Sequence, residues 1–272
     1  MHEHTEPENV DIDGRPSLLQ SRHPLAMVYG GGGVFGIAYT SGVAQGLADQ
    51  GLPVCTAPSL GTSAGSWTAS AIALGLTYDD FEEIQAPSVP TRRTGILADI
   101  AREIFGEASH PQVAISAVCL RSRRRHILDG GRYPLADLVA ASSAVPGLLP
   151  PHRIDGRLYI DGGMWSATSV DAAAEADHVI VVAPLAGSVM GPMGRTAGFL
   201  LERELRRWRK RHPESTITMI RPDKAMAKVA GLHPLALFDD ARAREIYPMA
   251  YEQGLMFGER LTAVRPSSEN AA

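Results

Sequence analysis

Residues 61–65, with the sequence GTSAG, match the pattern G-x-S-x-G that holds a nucleophilic serine on a sharp turn. Residues 54–60 before this motif are mostly apolar and predict a strand, and residues 63–74 predict a helix. The glycines let strand and helix pass close to each other, and the helix N-terminus favours negative charge that develops at Ser63. This context predicts Ser63 as a nucleophile; the alternative is a plain turn of small residues.

A run of four glycines at residues 30–33 is the second feature that suggests chemistry. Glycine loses more conformational freedom on folding than any other residue, so such a run is costly unless its backbone has a function. One function suits an ester hydrolase. The backbone N–H groups of this glycine loop would stabilise the oxyanion that forms when a serine attacks a carbonyl carbon.

The same stretch also matches the G-x-G-x-x-G pattern of nucleotide-binding loops, through Gly31, Gly33 and Gly36. In such a site an acidic residue ends the next strand, about 20 residues later. Asp49 lies at about this distance, but on the predicted helix that precedes the strand. A nucleotide site therefore stays an alternative, and the oxyanion function is favoured.

A nucleophilic serine needs a base, and the sequence offers histidines and one well-placed aspartate. His178, His212 and His233 stand in no recognisable loop motif and are interpreted as surface or packing residues. Asp161 ends a predicted strand in the stretch YIDGG, and the two glycines after it leave room for a close approach of backbone. An aspartate at the end of a sheet strand would accept the serine proton directly.

Four stretches in this order, GGGVFG, GTSAG, ASSAVPGLLPP and DGG, resemble the patatin-like phospholipases. The resemblance extends from about residue 26 to residue 185. It implies a three-layer α/β/α sandwich with a mostly parallel central sheet, and an acyl hydrolase that needs no catalytic histidine, metal or organic cofactor. Carried over to this sequence, the family's roles are nucleophile for Ser63, base for Asp161, and oxyanion hole for Gly31, Gly32 and Gly33.

Two departures from the family pattern leave alternatives open. Phe35 stands where the family usually has a lysine or arginine, so a cation that would assist the oxyanion loop is missing. After Asp161, Ser166 and Ser169 stand near the positions of the family's asparagine and proline. The main prediction is a serine esterase that cleaves lipid or other carboxylic esters. The alternatives are a nucleotide-binding protein and a family member that binds lipid without turnover.

The composition is that of a globular protein of 272 residues, with 44% hydrophobic and 21% charged residues. A formal net charge of −4 gives no global attraction to nucleic acid, so none is expected as a partner. Residues 1–22 predict a disordered acidic tail, and residues 23–266 the hydrolase domain. The acidic start does not fit a secretory signal peptide, and no run of 18 apolar residues occurs. We therefore expect a cytoplasmic protein, peripheral at most at a membrane.

Two further segments and the two cysteines also allow structural predictions. Residues 86–110 carry apolar residues at helical spacing and predict either a mobile cover over the site or an ordinary packed helix. Residues 194–211 predict a basic helix that contacts an anionic membrane surface or, as we favour, only solvent. Cys55 and Cys119 lie in apolar runs and are predicted to be buried free thiols.

Overall fold

The computed structural model of this chain describes residues 16–19, 21–80, 86–231 and 233–263. Within these residues, eight strands form one sheet with helices on both faces, which confirms the predicted three-layer α/β/α class. The strands are β1 (His23–Tyr29), β2 (Ser59–Thr62), β3 (Val113–Cys119), β4 (Arg124–Asp129), β5 (His152–Ile154), β6 (Arg157–Asp161), β7 (Ala176–Val182) and β8 (Thr216–Ile220).

Seven α-helices connect these strands within the described residues. They are α1 (Gly33–Asp49), α2 (Ala64–Ala73), α3 (Ile96–Phe105), α4 (Leu135–Ser142), α5 (Gly191–Arg211), α6 (Lys224–Ala230) and α7 (Asp240–Ala263). Pro248 lies inside α7. Parallel strands need crossover connections, and α1, α2 and α5 follow β1, β2 and β7 directly as such connections.

The strand order is β5-β6-β3-β2-β1-β7-β8, with β4 paired to β3 off this path. The pairs β1–β2, β1–β7, β2–β3 and β7–β8 are parallel. The pairs β3–β4, β3–β6 and β5–β6 are antiparallel. The sheet is therefore parallel in its centre and antiparallel at one side.

Strand β3 has an arrangement that later positions the site. Because β4 pairs along one edge of β3 from residue 114 to residue 119, β2 and β6 must share the opposite edge. Thr62, the last residue of β2, lies opposite Ser116, and Asp161, the last residue of β6, lies opposite Ala117. The C-terminal ends of β2 and β6 thus meet end to end.

Apolar residues fill both faces of the sheet. In β1, Leu25, Met27 and Tyr29 face the larger core under α1–α4, α6 and α7, whereas Ala26 and Val28 face the smaller core under α5. Such alternation follows from the two-residue period of a strand. The site described below lies at the C-terminal edge of the parallel strands.

Several local predictions need correction. The second strand runs over Ser59–Thr62 and not over residues 54–60, because Pro53 and Pro58 bracket a turn that lacks ladder pairing. Cys55 lies in this turn and is exposed, so its predicted burial is wrong, whereas Cys119 is buried as predicted. Val170–Ala172 forms a 3₁₀ turn, and β7 begins soon after it, at Ala176.

The structure describes only part of the predicted N-terminal tail, residues 1–22. Residues 1–15 and 20 of this tail lie outside the described residues. Ser17–Leu19 forms a 3₁₀ turn, and Leu18 is buried in the smaller core. Burial of the Leu18 side chain therefore packs this turn against the smaller core.

Candidate active site

Ser63 lies on a strained turn between β2 and α2. Its backbone has φ 51° and ψ −120°, a region that residues other than glycine seldom occupy. The motif's glycines are required by close packing: a Cβ on Gly65 would lie 2.0 Å from the Tyr29 carbonyl oxygen, and one on Gly61 would lie 2.6 Å from the Gly65 oxygen. The stretch GTSAG therefore folds as the sharp strand-to-helix turn that its pattern predicts.

Ser63 and Asp161 are joined by a hydrogen bond. The Ser63 Oγ donates to Asp161 Oδ2 at 2.6 Å, a short distance typical of a charged acceptor. The other carboxylate oxygen, Oδ1, accepts the Gly163 N–H at 2.6 Å. The glycine after Asp161 is needed too, since a Cβ on Gly162 would lie 2.2 Å from the Ser116 carbonyl oxygen. The meeting of β2 and β6 on β3 thus brings a hydroxyl and a carboxylate into direct contact.

A serine from the third resembling stretch, ASSAVPGLLPP, supports this contact. The backbone N–H of Ser63 donates to Ser142 Oγ at 2.8 Å, and the Ser142 hydroxyl donates to the Ser116 carbonyl oxygen at 2.7 Å. Beside it, the Trp67 Nε1–H donates to Ser143 Oγ at 3.0 Å. Through these bonds, the C-terminal end of α4 fixes the strained backbone of Ser63 in position. The sequence pattern indicates this stretch only as part of the family resemblance and predicts no role for Ser142.

Burial makes Asp161 a better proton acceptor than an exposed aspartate. Its side chain is 4% exposed. Desolvation raises the pKa of Asp161 to about 6, although the hydrogen bonds from Ser63 and Gly163 act in the opposite direction. Since the ordinary pKa of histidine is about 6.5, the proton affinity of this carboxylate approaches that of an imidazole. Asp161 is therefore in its basic form above about pH 6.

The glycine loop borders Ser63, but its N–H groups are not equivalent. A Cβ on Gly31 would lie 3.2 Å from the Ser63 Cβ, so loop and serine are neighbours. The Gly31 N–H donates to the Ala167 carbonyl oxygen at 2.7 Å and is therefore not available as the third oxyanion donor predicted from the sequence. In the described part of the chain, the N–H groups of Gly32 and Gly33 have no acceptor.

Gly33 is the first residue of α1. This position explains why the residue is a glycine and why its N–H group has no acceptor among the described residues. Its φ is +61°, and a Cβ there would lie 2.6 Å from the Leu237 carbonyl oxygen, so only glycine fits. The first hydrogen bond of the helix runs from the Gly36 N–H to the Gly32 oxygen at 2.8 Å. The N–H groups before it are those that every helix N-terminus leaves free, and they carry partial positive charge.

An apolar cavity of about 100 Å³ adjoins Ser63. Its walls come from α1, α2, α3, α7 and neighbouring loops, and include Val34, Trp67, Ile100, Ile104, Val145 and Phe238. Helix α3 buries Leu97 and Phe105 in the core, and Leu97 also lines the cavity together with Ile100. Of the two predictions for residues 86–110, this packing favours the packed helix, which here also lines the cavity.

The histidines considered from the sequence have other partners. His178 Nε2 lies 2.9 Å from Thr218 Oγ1. His212 lies against the Trp208 ring, and His233 caps the 3₁₀ turn Pro234–Phe238. Asp161 receives its hydrogen bonds from Ser63 and Gly163 instead. The geometry is that of a serine–aspartate pair.

The structure also gives little support to the nucleotide-binding alternative, because Asp49 has other partners and lies far from the glycine loop. Asp49 ends α1 and accepts hydrogen bonds from Tyr251 and Gln45. Because α1 rises about 1.5 Å per residue, Asp49 lies roughly 24 Å from the glycine loop at the other end of the helix. It is therefore not placed to bind a ribose beside that loop. No three His, Cys, Asp or Glu side chains of the described residues come together as metal ligands.

The segment after Asp161 is held by charges that sequence analysis missed. Arg125, on β4, is buried and binds both carboxylate oxygens of Asp171, at 2.6 and 3.0 Å. Glu204, on α5, is also buried and accepts a hydrogen bond from Thr168 at 3.4 Å. Burial, followed by the charge of Asp171, raises the pKa of Glu204 to about 7. Residues this far apart in sequence carry no local pattern that predicts such pairing.

Ser166 supplies the local support that the departure from the family pattern left open. Its Oγ accepts the N–H groups of Thr168 at 3.2 Å and of Ser169 at 2.9 Å. This turn presents the Ala167 carbonyl oxygen to Gly31. The segment after Asp161 therefore also fixes the glycine loop.

No helix in the described part of the chain is long and apolar enough to cross a membrane.

A family model described as patatin-like phospholipase matches residues 27–174. Among curated proteins, uncharacterized NTE family proteins of Mycobacterium bovis and of two Mycobacterium tuberculosis strains are 30% identical to this chain over 187 residues. The match covers 62% of this chain and 51% of each relative, so the chain spans about half the length of the curated relatives it matches.

Proposed function

Because the chain belongs to the patatin-like phospholipase family, we propose that it is a serine acyl hydrolase that cleaves carboxylic esters of lipids. Ser63 is the nucleophile and Asp161 the base. The observation that carries the proposal is the 2.6 Å hydrogen bond between the hydroxyl of a serine on a strained turn and a buried carboxylate. The apolar cavity beside Ser63 suits the acyl chain of such a substrate.

The acylation step starts from this hydrogen bond. As Ser63 Oγ forms a bond to the ester carbonyl carbon, its proton moves to Asp161 Oδ2 and the carbonyl electron pair moves onto oxygen. The N–H groups of Gly32 and Gly33 stabilise the resulting oxyanion, assisted by the N-terminal end of α1. When the intermediate collapses, the bond to the alcohol breaks, and Asp161 returns the proton to the leaving alkoxide oxygen.

Deacylation repeats these steps with water. Water gives a proton to Asp161 as its oxygen bonds to the acyl carbon, and the oxyanion forms again at the same N–H groups. The bond to Ser63 Oγ then breaks, and the proton passes from Asp161 to that oxygen. The products are the carboxylic acid and regenerated Ser63. Phe35 adds no charge to this cycle, so the positive field at the oxyanion comes from backbone amides.

Fluorophosphonate labelling, followed by mass mapping of the modified peptide, tests the proposal. We expect the probe to label Ser63, and Ser63→Ala to abolish both labelling and hydrolysis of a short p-nitrophenyl ester. Ser66→Ala is the matched control, because the Ser66 hydroxyl donates to the Ser63 carbonyl oxygen and does not contact Asp161. Labelling at another serine refutes the assignment. Lipid binding by an unlabelled wild type instead identifies the non-catalytic alternative.

A further inference from the structure

Helix α5 carries a cationic stripe that faces away from the sheet. Leu201, Leu205 and Trp208 bury the inner face of the helix in the smaller core. The spacing of a helix then directs a second set of side chains outward, and these are exposed. We call them the α5 stripe: Arg195, Phe199, Arg203, Arg206 and Lys210.

The charge of this helix is opposite in sign to that of the protein. Residues 191–211 contain seven basic and two acidic residues, whereas the whole chain has a formal net charge of −4. Of the two acids, Glu204 is buried and Glu202 is exposed. Within the described residues, no ion pair involves any of the four cations of the stripe. The stripe is therefore a positive surface that has no counterion among the residues that the structure describes.

An aromatic side chain lies in the middle of this positive surface. Phe199 is 66% exposed, the most exposed of the large hydrophobic side chains in the described residues. An isolated exposed phenylalanine gains nothing in water, but cations around an aromatic ring are typical of protein surfaces that rest on a bilayer. There the cations contact anionic head groups and the ring enters the interface.

We propose that the α5 stripe is a docking surface for a bilayer that contains anionic phospholipids. Phosphate-bearing head groups supply the counterions that the stripe lacks, and its cations extend over about 22 Å of the helix axis. Helix α5 begins shortly after the C-terminal end of β7, the edge of the sheet at which Ser63 lies. Arg195 and Phe199 are therefore the stripe residues nearest that edge. The inference concerns a partner of the protein and does not rest on the proposed catalysis.

Co-sedimentation with lipid vesicles tests the docking surface. The Ser63→Ala protein is used throughout, so that binding is measured without turnover and a failed esterase proposal leaves the result readable. We expect binding to phosphatidylcholine vesicles that contain phosphatidylglycerol, little binding to phosphatidylcholine alone, and release at high salt. Each cation near an anionic surface contributes about fivefold in affinity, so Arg203→Glu with Arg206→Glu should weaken binding by about 100-fold or more.

Two further variants separate the stripe from a general charge effect. Arg121→Glu with Arg244→Glu makes the same change of net charge at exposed arginines outside α5, and binding should change by no more than a few-fold. Phe199→Ser should weaken binding to anionic vesicles with little change in salt dependence. Equal loss in both double variants overturns the proposal, as does binding to RNA or to an acidic protein without binding to vesicles. If the parent Ser63→Ala protein does not bind vesicles, the proposal is refuted and the α5 stripe is only a solvent-exposed helix face.

Discussion

Asp161→Asn is the change that the structure makes most informative, because activity and stability should move in opposite directions. The asparagine keeps the shape of the side chain, and its oxygen can still accept the Gly163 N–H. Its amide group cannot take a proton from Ser63. Loss of a general base typically costs 100- to 10,000-fold in rate, so we expect turnover of a soluble ester to fall by about that factor.

The stability effect follows from the pKa of Asp161. Burial raises this pKa from 3.8 to about 6, so the folded protein binds the proton more tightly than the unfolded chain does. Between about pH 4 and pH 6 the unfolded chain therefore holds fewer protons, and stability falls as the pH rises through this window. A shift of about two units corresponds to roughly 3 kcal/mol, lost by pH 7 and not regained above it.

Asp161→Asn removes this ionisation, so the variant should be the more stable protein at pH 8, by up to about 3 kcal/mol. Near pH 4, where Asp161 is protonated in the wild type, the two proteins should differ little. Urea unfolding at both pH values measures the difference. In the wild type, kcat/KM should rise with pH and level off above an apparent pKa of about 6.

Histidine variants provide the control for this experiment. His178→Gln, His212→Gln and His233→Gln should each retain most of the activity, because these residues contact other groups. If any of them costs as much as Asp161→Asn, a triad with a histidine base replaces the pair. If Asp161→Asn is less stable than the wild type at pH 8, the raised pKa and the argument from burial are refuted.

Three further changes test the surroundings of the pair. Gly32→Ala puts a Cβ 2.8 Å from the Gly36 Cα, which should displace the first turn of α1 and lower kcat about 100-fold, with KM and the unfolding midpoint measured alongside. Burial raises the pKa of Glu204 to about 7, so the wild type should lose stability as the pH rises from about 4.5 to 7. Glu204→Gln should abolish this pH-dependent loss, whereas Glu202→Gln, at an exposed position on the same helix, should leave it unchanged. Ile100→Asp puts a charge in the cavity wall and should raise KM for butyl esters more than for acetyl esters; a change in thermal stability alone would show that α3 only packs.

The sequence predicts the parts of the site that a local pattern can encode. The motif around Ser63 and the glycines around Asp161 are patterns of a few residues, because close backbone approaches leave room only for glycine. The strand at residues 54–60 was misplaced because apolar composition does not show where pairing starts, whereas Pro58 and the register with β3 do. Arg125 and Glu204 could not be identified, since their partners come from distant segments.

The same distinction explains why Gly31 was assigned a free N–H group. A run of glycines shows that a loop needs a bare backbone, but it does not show which amides already have acceptors. Ala167 takes the Gly31 N–H, and the Ser166 turn holds that carbonyl in position. The amides of Gly32 and Gly33 then remain at the start of α1.

The pairing of strands explains how an aspartate can serve where other hydrolases use histidine. Because β2 and β6 meet on one edge of β3, Ser63 and Asp161 come together inside the protein, where Asp161 is 4% exposed. The same burial that raises the pKa of Asp161 to about 6 also makes its charged form costly. Within the described residues, two hydrogen bonds, from Ser63 and Gly163, compensate for this cost. A third donor would lower the pKa and stabilise the fold, but it would also weaken the base, so the sparse hydrogen bonding of Asp161 is what keeps it reactive near neutral pH.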